Sequence, residues 1–226
     1  MFIWQSIRDA MHRSPRDAFH TPLRLEGPDG TSFALRTMTA EDELEWDAVR
    51  SRNVEWLDPW ESNDPMRHEL VSFSQWIAMQ RREERDGSSI VLVMEFEGRI
   101  VGQISLGAVF RGAMRTGIIG YWIDEQYAGR GLTPLAVAML CDWALLDADG
   151  PRLHRMEIDI VPENQRSRRV VQKVGAQYEG LRRQYMYIHG QWRDHESYSL
   201  VEQDAPGGFT RRLMGDTPSE PFHDLS

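Results

Sequence analysis

Runs rich in apolar, β-branched residues predict strands over residues 89–96, 99–110, 115–124 and 153–161, with Glu97-Gly98 as the tight turn between the first two. A further strand pair follows over 176–188 and 191–201, joined by His189-Gly190, and residues 23–36 read as a hairpin that turns between Gly27 and Gly30. Helical spacing is clearest over 69–86, where Leu70, Phe73, Trp76, Ile77 and Met79 or Gln80 fall on one stripe. A helix over 39–53 carries Glu41, Asp42 and Glu43 at its positive end. Residues 133–146 are apolar all round, which predicts a buried helix, and 163–174 predict another. Asn53 to Glu61 is rich in tryptophan and acid, is broken by Pro59, and suits no regular helix; it reads as the wall of a groove or as a short core-packing helix with solvated acids.

These elements make an α+β domain over residues 21–203, with a mixed sheet of about seven strands and four or so helices. Phe2, Ile3, Trp4, Ile7 and Met11 in the extension 1–20 fit either a small amphipathic helix, docked on the body or on a partner chain, or a partly ordered arm. From Asp204 to residue 226 the chain is rich in Pro, Gly and Asp and reads as a tail.

Composition narrows the function. The 226 residues fit one domain, and no apolar run reaches the roughly 18 residues of a membrane span. The first ten residues lack the basic region of a signal peptide, and the single cysteine, Cys141, cannot pair within the chain. Together these favour a cytoplasmic protein. A net charge of −9 disfavours nucleic acid and favours cationic or amine partners. Against that background Arg166, Arg168, Arg169, Lys173, Arg182 and Arg183 cluster late in the chain, either as a solvated face or as ligands of an anion. No group of His, Cys and Asp has metal-ligand spacing, so no metal is expected.

The chemistry centres on Gln126-x-x-Gly129-x-Gly131, which follows an apolar strand and opens a helix. Gly129 and Gly131 permit positive φ and close backbone approach to a ligand. Thr133 as N-cap and Pro134 as first helical residue would aim the helix's positive end at the same point, and Arg130 adds a cation. A plain strand-to-helix turn would use the same residues. The spacing is neither that of a P-loop nor that of a dinucleotide fingerprint.

This loop resembles the acetyl-CoA loop of the GNAT N-acetyltransferases. Val161-Pro-Glu-Asn164-Gln-Arg-Ser167, with its helix ending at Lys173-Val-Gly175, resembles that family's second cofactor motif. Glu179-Gly180 through Tyr185 and Gly190-Gln-Trp192-Arg-Asp-His195 resemble the RimJ/RimL branch, which acetylates N-terminal amines of ribosomal proteins. The resemblance implies a splayed central strand pair, with acetyl-CoA held by Trp122, Ile123, Asp124, Gln126, Ala128, Gly129, Arg130, Gly131, Leu132, Thr133, Asn164 and Ser167. The family's acceptor wall falls on Glu55, Trp56 and Trp60. The implied partner is a protein N-terminus, or else a small amine. A non-catalytic CoA sensor keeps the same motifs, and the tryptophan-rich N-terminus could support a homodimer.

A backbone N–H at Trp122 or Ile123 could meet the developing oxyanion. Asp159 stands five residues before Asn164, where the related RimI-type enzymes carry glutamate, and that resemblance makes it the leading base; it alternates with Ile158 and Ile160, Glu157 shares its face, and a water relay is the other route. Ser167 is the candidate to assist the leaving thiol, and Asn164 caps its helix. Two positions depart from relatives. Val171 stands where many carry a tyrosine acid, and Met186 stands where RimL-type enzymes carry a glutamate. Tyr185 and Tyr187 read as core or wall, and His195 mainly as packing around the last strand.

Overall fold

The computed structural model describes residues 18–66 and 71–215. Eight strands form one sheet in the order β1-β2-β3-β4-β5-β6-β8-β7. They are β1 Arg24–Glu26, β2 Phe33–Thr37, β3 Ile90–Phe96, β4 Arg99–Phe110, β5 Thr116–Ile123, β6 Arg155–Ile160, β7 Gln177–Ile188 and β8 Gln191–Val201. Every pairing is antiparallel except β5 with β6. Among the described residues the α-helices are α1 Glu43–Arg52, α2 Val54–Leu57, α3 Phe73–Asp86, α4 Leu132–Cys141, α5 Gln165–Val174 and α6 Phe209–Met214.

Alternation along the strands divides the core into two layers. Leu92 and Met94 of β3 enter the large cluster around α4 and α5, whereas Val93 turns to the other face. There it meets Met38 and Ile100 beneath Trp46, Phe73, Trp76 and Ile77 of α1 and α3. All ten residues of α4 are buried, as an apolar helix without a polar face requires.

Four local readings are settled or changed. The Asn53–Glu61 segment does form helix, the short α2 followed by a 3-10 turn over Asp58–Trp60, with Pro59 tolerated because it falls in the turn's first residues. Gly131, at φ +84°, caps α4 in place of Thr133, which lies inside the helix. The tail contains α6, whose Phe209 is 2% exposed. Helix α3 starts at Phe73 after the Ser72 cap, whose hydroxyl accepts from the Gln75 N–H while the Gln75 side chain accepts from the Ser72 N–H. Residues 69 and 70, and the proposed N-terminal helix, lie outside the described residues.

Candidate active site

The site originates in a parting of strands. β5 and β6 pair only over Thr116–Ile118 against Arg155–Glu157, then separate. Antiparallel partners alternate between residues that exchange hydrogen bonds and residues that face away. Asp124 N–H donates to Val101 O at 2.8 Å, and Trp122 opposes Gln103 in the same phase. Ile123 therefore turns its N–H and C=O toward the gap, and its C=O accepts from Trp56 Nε1 at 3.0 Å. Of the three expected backbone contacts, Ile123 alone has its backbone free of β4; Trp122 and Asp124 are committed to it.

Asp124 has a different job. Its buried carboxylate accepts from Arg52 Nε and Nη2 at 3.1 and 2.5 Å and from Asn53 Nδ2 at 2.9 Å. Asn53 Oδ1 in turn accepts the Glu125 N–H at 2.9 Å. Burial pushes the Asp124 carboxyl up, but these hydrogen bonds outweigh it and hold the pKa below the ordinary value. The end of α1 is thereby tied to the end of β5, at the mouth of the gap.

A cavity of about 710 Å³ occupies the gap. Ala128, Gly129, Gly131, Leu132 and Thr133 line it, as do Arg169 and Lys173 of α5; Arg166 lines it too, its guanidinium stacked over the Trp56 ring at 3.6 Å from the centroid. Gly129 and Gly131 have φ +81° and +84°, and a Cβ built on either would meet nothing within 4 Å. That leaves a concavity open to an anion at the N-terminus of a long buried helix. Gln126 and Arg130 do not line it; Arg130 lies over the Tyr127 ring, 4.8 Å from its centroid. Arg182, grouped with the phosphate cations by sequence, instead bonds Glu157 Oε2 at 2.5 Å and Asp159 Oδ2 at 3.3 Å.

Tyr121, Ile123, Asn164, Ser167 and Asp159 line it as well. Asn164 caps α5, its Oδ1 accepting from Ser167 N–H at 3.1 Å, which fixes Ser167 in the first turn. The Asp159 side chain is 0% exposed, and its Oδ1 has no hydrogen-bond partner. Ser197, its cross-strand neighbour on β8, likewise has an unpartnered hydroxyl. Burial raises the Asp159 pKa, and the Arg182 charge does not cancel it. Glu157 behaves oppositely. Burial raises it, but Arg155 and Arg182 bring it below its ordinary value, so it is a spent ion-pair partner.

Trp56, Trp60, Glu61 and Ser62 also line the cavity, with Met186, Ile188 and His195 of the β7–β8 hairpin. Ser62 bridges to Ile188, and Asn63 N–H donates to Tyr187 O at 3.0 Å, so the segment after α2 is stitched to the β7–β8 hairpin. Arg50 clamps this wall, bonding both Glu61 oxygens at 2.6 and 2.7 Å while lying over the Trp122 ring. Glu55 is exposed and does not line the cavity.

Sequence reasoning underrated His195. It is 3% exposed, lines the cavity and interacts electrostatically with Asp159. Its Nδ1 lies 3.1 Å from Arg193 O, which can only accept, so Nδ1 carries the proton and Nε2 keeps a lone pair. Burial lowers its pKa, which keeps the ring neutral. Its two-residue offset from Ser197 on β8, with Ser197 opposite Asp159, was the available signal, but it required knowing the strand register.

The glycine concavity, the cations lining the same cavity and the Ile123 N–H, turned away from β4, fit a phosphorylated, amide-bearing cofactor such as coenzyme A. The chain belongs to the acetyltransferase (GNAT) domain family, which matches residues 33–177. It is accordingly an acyltransferase of the class that uses acetyl-CoA. Among solved structures it resembles Mycobacterium smegmatis RimJ in complex with CoA-disulfide, with 31% identity and a TM-score of 0.79, over 87% of this chain and 95% of that one. Ribosomal protein uS5-alanine N-acetyltransferase of Escherichia coli (strain K12) is 29% identical over 164 residues, 70% of this chain and 81% of the relative. The Bacillus subtilis (strain 168) protein named "Probable N-acetyltransferase YjcK" is 35% identical over 108 residues, 48% of this chain and 58% of that protein.

Proposed function

We propose that this protein acetylates the N-terminal α-amine of a protein, with acetyl-CoA as donor. The observation that carries the reading is Asp159, a buried carboxylate that lines the cavity with one oxygen free of hydrogen-bond partners. An α-amine has pKa about 7.7–8.0 against about 10.4 for lysine, so a carboxylate is an adequate base for the first and a weak one for the second. The likeness to RimJ and to the uS5-alanine enzyme supports the same acceptor class.

Each group then has a defined task. The Gly129–Gly131 loop and the α4 N-terminus receive phosphate, and Arg169 and Lys173 neutralise it. Bound acetyl-CoA supplies an acyl group activated as a thioester. Ile123 offers the strand edge along which an extended amide chain pairs, and its N–H is the backbone donor for the acyl oxygen. Trp56 and Trp60 wall the acceptor end. Asp159 Oδ1 accepts the amine proton, with neutral His195 beside it, and Ser167 donates a hydrogen bond to the departing sulfur. A thiol ionises near pH 8.5, so this last step needs a hydrogen bond and no strong acid.

The test is thiol release from acetyl-CoA with peptides bearing free Ala, Ser or Met termini, N-blocked lysine peptides and small amines. Release confined to free-terminus peptides is the expected result. Release confined to small amines would move the activity to metabolite or drug acetylation. Binding without any release would favour a CoA sensor.

A further inference from the structure

By its place in the sequence Arg182 belongs with the cations suited to a phosphate, yet it serves two carboxylates, Glu157 and Asp159. A break in β7 puts it there. Residues three apart on a regular strand face opposite sides. The β7–β8 register shifts between Arg182 and Met186, and Gln184 stands within that stretch at φ +49°. The irregularity brings Arg182 and Tyr185 together. Arg182 Nη1 donates to the Tyr185 hydroxyl at 2.8 Å, and the guanidinium carbon lies 4.9 Å from the Tyr185 ring centroid. The two carboxylates share the fork unequally. Nη2 donates to Glu157 Oε2 at 2.5 Å, whereas Asp159 Oδ2 lies 3.3 Å from Nη1, which already serves Tyr185. Glu157 has a second cation, with Arg155 Nε at 3.0 Å, but Arg182 is the one cation within ion-pair distance of Asp159 among the described residues.

We propose that Arg182 is a positioning residue for Asp159: it holds Oδ2 from β7, leaves Oδ1 for the acceptor amine, and sets the acid limit of the reaction by dividing its charge between Asp159 and Glu157. This rests on the reading of Asp159 as the base. A carboxylate held through one oxygen keeps the other for a second donor, and Oδ1 has no hydrogen-bond partner. A bidentate clamp would engage both oxygens and weaken the base, whereas no cation at all would leave a buried charge unmet. One contact at 3.3 Å lies between these limits. Burial works against the Arg182 charge, but Glu157 and Asp159 outweigh it and hold the guanidinium above its ordinary pKa, so it stays a cation throughout.

The charged and titratable groups acting on Asp159 come from three strands: Glu157 on its own strand β6, Arg182 and Tyr185 on β7, and His195 on β8. Removing the Arg182 charge leaves Asp159 facing Glu157 without relief, so Asp159 ionises at higher pH. Removing the Glu157 charge takes away a like charge and frees Arg182 for Asp159, so Asp159 ionises at lower pH. The two substitutions act with opposite signs, which a loss of packing does not do.

The test measures kcat/KM against pH with acetyl-CoA and a peptide bearing a free Ala terminus, in the wild type, Arg182→Gln, Glu157→Gln and Asp159→Asn. The acceptor's own ionisation is common to all of them, so a displacement between variants belongs to the enzyme. Arg182→Gln should move the acid limb up by about one pH unit, and Glu157→Gln should move it down by about half a unit. Arg182→Gln should also lower kcat on the plateau by roughly tenfold, because Oδ2 is no longer held. A folded Arg182→Gln protein whose limb does not rise, or a Glu157→Gln protein whose limb does not fall, overturns the proposal. If Arg182→Gln does not fold, the direction of the Glu157→Gln shift decides alone. A wild type that releases no thiol, or an Asp159→Asn protein with wild-type kcat/KM, defeats the reading of Asp159 as the base, and the proposal with it.

Discussion

Asp159 sits where its charge is least welcome. Its folded pKa is raised, so the fold favours its neutral form; the stability it contributes is present below the unfolded pKa and lost as pH rises through the folded one. At neutral pH the ionised group is a net cost. Asp159→Asn should therefore melt at or above the wild-type temperature while kcat falls by about 10²–10⁴. A scanning calorimetry trace with the variant melting clearly lower would mark Asp159 as a structural ion-pair partner. In the wild type, kcat/KM should fall with acid along a limb placed above that of an ordinary aspartate. The likeness to RimI-type relatives picked this residue out; strand alternation alone left Glu157 beside it on the same face. Neither was enough for His195, whose place near Asp159 depends on what lies across a strand pair. Asp124 shows the opposite error: a position inside a motif that is occupied by a carboxylate tying α1 to β5.

Among the elements, the loop into α4 is the most readable and the most exposed to test. The sequence placed two glycines before an apolar helix, and the structure puts both in left-handed conformations facing open space. The identity of the cap was not readable. Thr133 has the right chemistry, but Gly131 occupies the cap position and draws Thr133 into the buried first turn. No protein atom lies within 4 Å of a Cβ built at Gly131, so Gly131→Ala meets conformational strain and no clash. The strain amounts to roughly 1–2 kcal/mol. Its Cβ would, however, stand in the concavity where amides approach the anion. Calorimetric titration should give an acetyl-CoA Kd weaker by about tenfold or more, with the melting temperature only modestly lowered. Unchanged affinity would move the phosphates off this loop. Short α2 was only half legible, for a different reason. Proline and acids spoil its helical pattern, and its stability comes from Trp56 reaching Ile123 and stacking under Arg166 at 3.6 Å.

At the scale of the molecule, the site depends on a segment that composition alone assigns to a tail. Helix α6 packs against α4, the helix whose N-terminus faces the cavity. The Asp142 carboxylate, just past the end of α4, accepts the Phe209 and Thr210 N–H groups at 2.6 and 2.9 Å. Phe209 is 2% exposed in the main cluster. Local glycines and prolines hid this helix, because its six residues are too short to be stable without that docking. Phe209→Ala should cost about 3–5 kcal/mol, and a chain ending at Glu202 should lose at least as much, because Asp142 then also loses both its partners. For a chain of this size that is a fall in Tm of roughly 10 °C. Because α4 carries the loop, the truncated chain should also bind acetyl-CoA more weakly at a temperature where it is still folded. Thermal melts and titrations on the two variants separate the cases. A truncated chain that melts and binds like the full one would return residues 203 onward to the status of a tail.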